Sequence, residues 1–237
     1  MKKMFMAVIA LMMTISASAQ FYIYYSDGTV AKVDSISMVA PEESEDSTIV
    51  EDPYNGHRYV DLGLSVKWAT CNVGASEPEY YGDYFAWGET RPKGYYDWSN
   101  YKWCNGTYDN LTKYCTIDNK TVLEAADDAA RANWGGSWRM PTIEEWSELQ
   151  HNCTWTWTGL NGISGYKVTA DNGNSIFLPA SGYFIGESVS IGYGVAHYWS
   201  NSLDEQIDAY AMSFDGWSIY VGDMNRKAGL AVRPVCP

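Results

Sequence analysis

The chain reads as an α+β protein with more sheet than helix, and three observations say so. Short runs rich in Val, Ile, Tyr, Phe and Trp recur along it, punctuated by Gly and Asn. Only two segments carry helix signals, and both are short. Aromatic residues make up 15% of the chain, with 11 Trp and 19 Tyr, enough to fill a core with large rings.

The helix signals are specific. Leu123–Asn133 is Ala-rich, with acidic residues early and Arg131 late, the charge order that complements a helix dipole. Gly135-Gly136 then predicts a turn. Thr142-Ile-Glu-Glu145 has the spacing of a capping box: the Thr142 hydroxyl reaches the amide three residues on, and Glu145 reaches back. Trp146 and Leu149, three apart, share one face of the helix that follows. Strands are predicted at Tyr59–Leu62, Val66–Cys71, Asp83–Trp87, Tyr166–Thr169, Ser175–Leu178, Tyr198-Trp199, Ala209–Phe214, Ser218–Val221 and Leu230–Val235. Trp68, Trp87, Trp134, Trp138 and Trp146 are the expected core tryptophans.

Ahead of this domain the chain is built differently. Residues 1–19 read as a signal peptide: Lys2 and Lys3, an apolar run from Phe5 to Met13, and small residues ending at Ala19. The run is too short for a bilayer, which needs about 20 residues, so no transmembrane segment is expected in the mature chain. Residues 20–40 read as a β-hairpin turning at Asp27-Gly28. Residues 41–55 form a linker whose only charges, from Pro41 to Pro53, are acidic. The main domain is expected over 56–237.

The net charge is −13, which repels phosphate backbones and argues against nucleic acid as a partner. Five cysteines, Cys71, Cys104, Cys115, Cys153 and Cys236, suit two disulfides and an odd thiol in an oxidising compartment. Cys104 with Cys115 is the favoured pair, stapling an Asn/Gly/Thr loop. No CxxC spacing suggests zinc.

An ordered series of motifs is distinctive: Gly136-Ser-Trp-Arg-Met-Pro-Thr-Ile-Glu-Glu-Trp146, Phe177-Leu-Pro-Ala-Ser-Gly-Tyr183, Tyr198-Trp-Ser-Asn-Ser202, Ala209-Tyr210 to Phe214, and Val232-Arg-Pro-Val235. The series resembles the Fibrobacter succinogenes major paralogous domain, which belongs with the C-type lectin-like and formylglycine-generating-enzyme-like folds. The hairpin leader resembles that of many exported Bacteroidetes proteins. The resemblance implies two short helices with a twisted, mainly antiparallel sheet, first and last strands brought together, and a long irregular loop region that binds ligands. It also implies a periplasmic, outer-membrane-associated or extracellular protein.

No catalytic constellation stands out. The cysteine pair of formylglycine-generating relatives is missing, since only Cys236 follows Cys153. Asp83, Glu89, Glu144 and Glu145 are the carboxylates available for hydrolysis, and nothing in their spacing brings two together. His57, His151 and His197 show no metalloprotease or triad order. Asn201, Asp204, Glu205 and Asp208 offer hard oxygen ligands for calcium, although the Glu-Pro-Asn and Trp-Asn-Asp signals of calcium-dependent lectins are absent. The expected function is therefore non-catalytic recognition of a glycan or surface protein, on a face made of Asn201, Asp204, Asp208, Asp215, Trp217, Tyr220, Asp223, Asn225 and Arg226. The alternative is a structural or assembly subunit whose Phe21–Tyr25 hairpin pairs with another chain's sheet edge; a hydrolase with paired carboxylates ranks behind both.

Overall fold

A computed structural model describes residues 21–24, 30–33 and 54–237. The leader, the Asp27-Gly28 turn and most of the acidic linker lie outside the described residues. Strands β1 (Phe21–Tyr24) and β2 (Val30–Val33) pair antiparallel, from Phe21 opposite Val33 to Tyr24 opposite Val30, and belong to a unit of their own.

The main unit begins with β3 (Tyr59–Val60) and β4 (Lys67–Ala69). A long irregular stretch follows, broken only by single 3-10 turns at Trp98–Asn100 and Ala125–Asp127. Then come helices α1 (Ala129–Trp134) and α2 (Ile143–Asn152). The remaining strands are β5 (Cys153–Leu160), β6 (Ile163–Ala170), β7 (Ser175–Pro179), β8 (Tyr183–Ile185), β9 (Ser188–Ser190), β10 (Ala196–Leu203), β11 (Asp208–Phe214), β12 (Ile219–Asn225) and β13 (Val235–Cys236). They assemble into several small antiparallel sheets, in the orders β13-β4-β3, β5-β6-β7, β8-β9 and β10-β11-β12. The protein is thus α+β and mainly sheet. No described helix is long and apolar enough to cross a membrane.

Local signals account for the helices. Both halves of the Thr142–Glu145 capping box form, and Glu145 is also held by the Arg139 guanidinium at 2.5 Å. The expected first helix splits in two. Asp128 caps α1 by accepting from the Arg131 amide, and the same carboxylate accepts from Met140, so the chain turns at Asp128 rather than running straight from Leu123. Gly135 and Gly136 both take positive φ, 67° and 55°, and end the helix as the Gly-Gly turn requires.

Several strand expectations are corrected, and the Tyr59–Leu62 and Val66–Cys71 strands shorten to β3 and β4. Asp83–Trp87 is not a strand and makes only an isolated bridge from Phe85 to Leu230. Leu230–Val235 shrinks to β13, the rest being irregular backbone tied by single bridges. Strands β5, β8 and β9 are additional to the expected set, although the Thr-Trp-Thr-Trp-Thr alternation of β5 is a period-2 pattern.

Two large aromatic clusters hold the domain. One gathers Trp87, Trp134, Trp138 and Trp199, the other Trp68, Trp146, Tyr198 and Phe214, all buried. Between them runs the segment 226–236, which carries two fully buried arginines. Arg233 donates to Asn72 Oδ1, to the Ala69 and Thr70 carbonyls, and to Phe177 O, at 2.8–3.0 Å. Burial lowers its pKa, and the ring of acceptors compensates the guanidinium for lost water.

These contacts set the cost of removing them. Arg233→Met takes away the donors and leaves the acceptors buried and unpaired. It is expected to destabilise the protein by at least about 3 kcal/mol in urea unfolding, and a loss below about 1 kcal/mol would contradict this structural role. Thr142→Ala should cost about 1 kcal/mol, read as a lower urea midpoint with unchanged slope.

Candidate functional site

The nine candidate residues do not form one face. Strand β11 separates them, with Asp208 at its start and Asp215 just past its end, about 23 Å apart along an extended strand.

At the first end, the acidic residues do gather. Asn225 pairs with Asp208 across β11 and β12 and donates to its carboxylate at 3.2 Å, and Asp223 stands opposite Tyr210. Burial, with the charges of Asp223, Glu205 and Asp204, pushes the Asp208 carboxyl above its ordinary range. Tyr210 rises too, because its hydroxyl bonds Asp204. Among the described residues, no group of three or more His, Cys, Asp or Glu is arranged to hold a metal ion. Asn201 is buried and turns its Oδ1 to Ser202.

Arg226 leaves the candidate surface altogether. It is fully buried, donating to the Tyr101 hydroxyl and to the carbonyls of Lys113, Tyr114 and Gln206, with the Trp87 ring 5.0 Å from its guanidinium. Its donors are spent tying the irregular 101–118 stretch to the end of β12, so it is a structural residue.

The second end is a concave, aromatic place. The β11–β12 turn is locked by Asp215, whose Oδ1 accepts from the Trp217 amide, the Ser218 amide and the Ser218 hydroxyl. These bonds hold the Asp215 carboxyl below its ordinary pKa, so it is ionised at neutral pH. On this fixed turn Trp217 stands 94% exposed and Tyr220 is half exposed. An indole so exposed on an immobilised backbone loses little conformational freedom when it meets a ligand.

Two hollows flank the turn. An open groove of about 590 Å3 runs beside Trp217 and Trp157, rimmed by Tyr81, Ser164 and Ile191. A second hollow of about 370 Å3 lies on the other side, lined by Tyr183, Ser190, His197, Asp215 and Tyr220. The segment 190–195 contributes to both. Trp157 is seated from below: Tyr166 meets its ring edge-on at 5.0 Å, and Gly194 and Gly216 lie against the indole. A Cβ at Gly194 would fall 2.7 Å from that ring, and the residue's φ of +71° is itself a glycine conformation.

Trp157, Tyr81, Tyr183 and His197 lie outside the expected site. His197, Ser213 and Tyr220 form a row across β10, β11 and β12, with His197 Nδ1 2.7 Å from the Ser213 hydroxyl. The Tyr183 ring packs edge-on against the imidazole at 5.1 Å. The alternation in β5 is the one sequence signal that points to Trp157. Nothing local points to Tyr81, in the irregular stretch after β4, or to Tyr183, at the start of β8.

The other expectations resolve as follows. All five cysteines are thiols in this structure. Cys104 Sγ faces the Trp98 carbonyl and Cys115 Sγ the Leu111 carbonyl. Of the carboxylates weighed for hydrolysis, Glu89 is held by Lys93 and by the Lys102 amide, Glu145 by Arg139, and Glu144 is exposed. No protein-family model, curated protein or solved structure matches this chain. The class that fold and site define is an α+β, mainly-sheet protein with an open aromatic groove.

His197 makes the electrostatics of the second hollow testable. Burial pushes its pKa down to about 4, so the ring is neutral at pH 7. The unfolded chain takes up a proton below about pH 6.5, whereas the folded chain resists until about pH 4. Stability therefore falls as pH drops through this window. The difference between wild type and His197→Gln in urea-unfolding free energy should change by up to about 3 kcal/mol between pH 7 and pH 4, and a difference that stays flat would refute the assignment.

Proposed function

We propose that this protein is a non-catalytic, extracytoplasmic recognition module that binds its ligand, a glycan or a surface protein, at the β11–β12 turn. One observation carries the reading: Trp217 is 94% exposed on a turn that Asp215 immobilises, beside a groove floored by a second tryptophan. An isolated exposed aromatic needs no explanation. An exposed aromatic on a locked turn, sharing a groove with a second tryptophan, has the form of a binding anchor.

Two features support a C-type lectin-like fold for the main domain. The last strand, β13, pairs with β4 near the start, Val235 opposite Trp68, and two helices precede the larger sheets. The long irregular segment between β4 and α1 is the kind of loop region such domains carry. The proposed binding surface lies instead at the turn between β11 and β12 and at the loop before β10. The signal-peptide pattern of residues 1–19 supports a location outside the cytoplasm.

The test is the double variant Trp217→Ala, Tyr220→Ala. Both side chains are exposed, so urea unfolding should change by less than about 0.5 kcal/mol per site. Binding to a ligand found by screening glycan arrays and surface proteins should weaken by about thirtyfold or more. Unchanged affinity in the folded double variant removes the turn from the binding surface.

A further inference from the structure

We infer that the ligand is a neutral oligosaccharide, bound without calcium and laid across the β11–β12 turn so that it occupies both hollows. This rests on the recognition reading above and narrows it to one substrate class.

The groove beside Trp157 and Trp217 has no carboxylate, ammonium, guanidinium or imidazole in its lining. The chain as a whole carries a net charge of −13. An anionic ligand would meet long-range repulsion with no local cation to offset it; a cationic ligand would find no counter-charge in this groove, and Asp215 is the one acid in the linings of the two hollows. What the groove offers is the part-exposed Trp157 indole and the exposed Trp217 indole, with Ser164 and Tyr81 also in the lining. An aromatic face is the negative side of a quadrupole. The C–H groups on the flat face of a pyranose ring are weakly positive and apolar, so they stack there, while the ring hydroxyls point outward to polar atoms and water.

The second hollow supplies the polar complement. Tyr183, Ser190, Asp215 and Tyr220 line it together with His197. The imidazole is neutral at physiological pH, so it offers hydrogen bonding without charge. Asp215 Oδ1 is taken up by the turn, and Oδ2 makes none of those three bonds. A carboxylate oxygen is a strong acceptor for sugar hydroxyls. The hollows share the 190–195 segment and the 215–217 turn as their common wall, with Gly194 and Gly216 on one side and Gly192 and Asp215 on the other. A single ring fills one hollow, and a chain reaching over the turn fills both. Among the described residues, no group of three or more His, Cys, Asp or Glu is placed to hold a metal ion.

The experiment uses the mature full-length chain in EDTA, with calorimetry and tryptophan fluorescence as readouts. The probes are cellohexaose, xylohexaose and mannohexaose, their monosaccharides, and acidic controls of oligogalacturonate and a heparin hexasaccharide. At least one neutral hexasaccharide should bind, at least tenfold more tightly than its monosaccharide, and should protect Trp217 from acrylamide quenching. Trp217→Ala should weaken it about tenfold or more, and Tyr220→Ala should reduce the gain from chain length. Trp157→Phe keeps an aromatic ring on the floor and serves as the conservative comparison, with a smaller loss. The inference is overturned by preference for an acidic probe, by binding that requires restored calcium, by affinity unchanged in Trp217→Ala, or by no neutral probe binding at millimolar concentration. A surface protein whose binding depends on Trp217, with no saccharide bound, would overturn the sugar assignment and leave the recognition reading standing. A ligand of any class that is insensitive to Trp217 and Tyr220 would overturn both.

Discussion

The domain depends on how a fully buried guanidinium is solvated by backbone. Arg233 sits between the two aromatic clusters with no carboxylate among its bonded partners. Its donors go to the carbonyls of Ala69, Thr70 and Phe177 and to the Asn72 side chain. These acceptors come from residues 69–72, at and just after the end of β4, and from β7 far along the chain, so with the arginine's own segment three are joined. A buried charge is tolerated only when each donor finds an acceptor. The arginine therefore dictates where three segments meet. Tyr198, packed in the same region, reaches Pro179 O at 2.7 Å and Asn72 at 3.5 Å, so the network extends into β10.

The same device recurs at Arg226. Long irregular chain is costly inside a protein because its peptide groups lack the regular partners of a helix or sheet. At Arg226 the carbonyls of Lys113, Tyr114 and Gln206 all converge on one side chain. The adjacent Tyr114–Asp127–Lys113 bonds close the arrangement from the other side. The β11–β12 turn is fixed separately, by the three bonds to Asp215 Oδ1. That is the condition under which exposed aromatics act as preformed anchors.

Legibility in the sequence follows the range of the interaction. The capping box from Thr142 to Glu145 spans three residues, and both of its halves form. The Gly135-Gly136 turn and the burial of Trp68, Trp87, Trp134, Trp138 and Trp146 are equally local or compositional matters. β5 is legible too, in its alternation of Thr and Trp, though its polar threonines mask it among the more apolar strands. Arg226 is misleading for a different reason. Beside Asp223 and Asn225 an arginine looks like part of a polar surface, and only the arrival of the 101–118 segment takes it into the core.

The grouping of the site is not legible at all. Residues 201 to 226 are close in sequence and suggest one surface, yet a β-strand advances about 3.3 Å per residue. β11 therefore carries Asp208 and Asp215 to opposite ends of a sheet, and chain proximity becomes spatial separation. Tyr81, Trp157 and His197 approach the turn from three other parts of the chain. The sequence by itself determined the class of fold, the start of α2, the aromatic core and the acidic charge, because propensity, capping and burial depend on near neighbours and composition. The tertiary structure alone decided which aromatics line one groove and which arginines are buried, because those outcomes depend on packing between segments far apart in the chain, more than a hundred residues in the case of Arg226 and Tyr114.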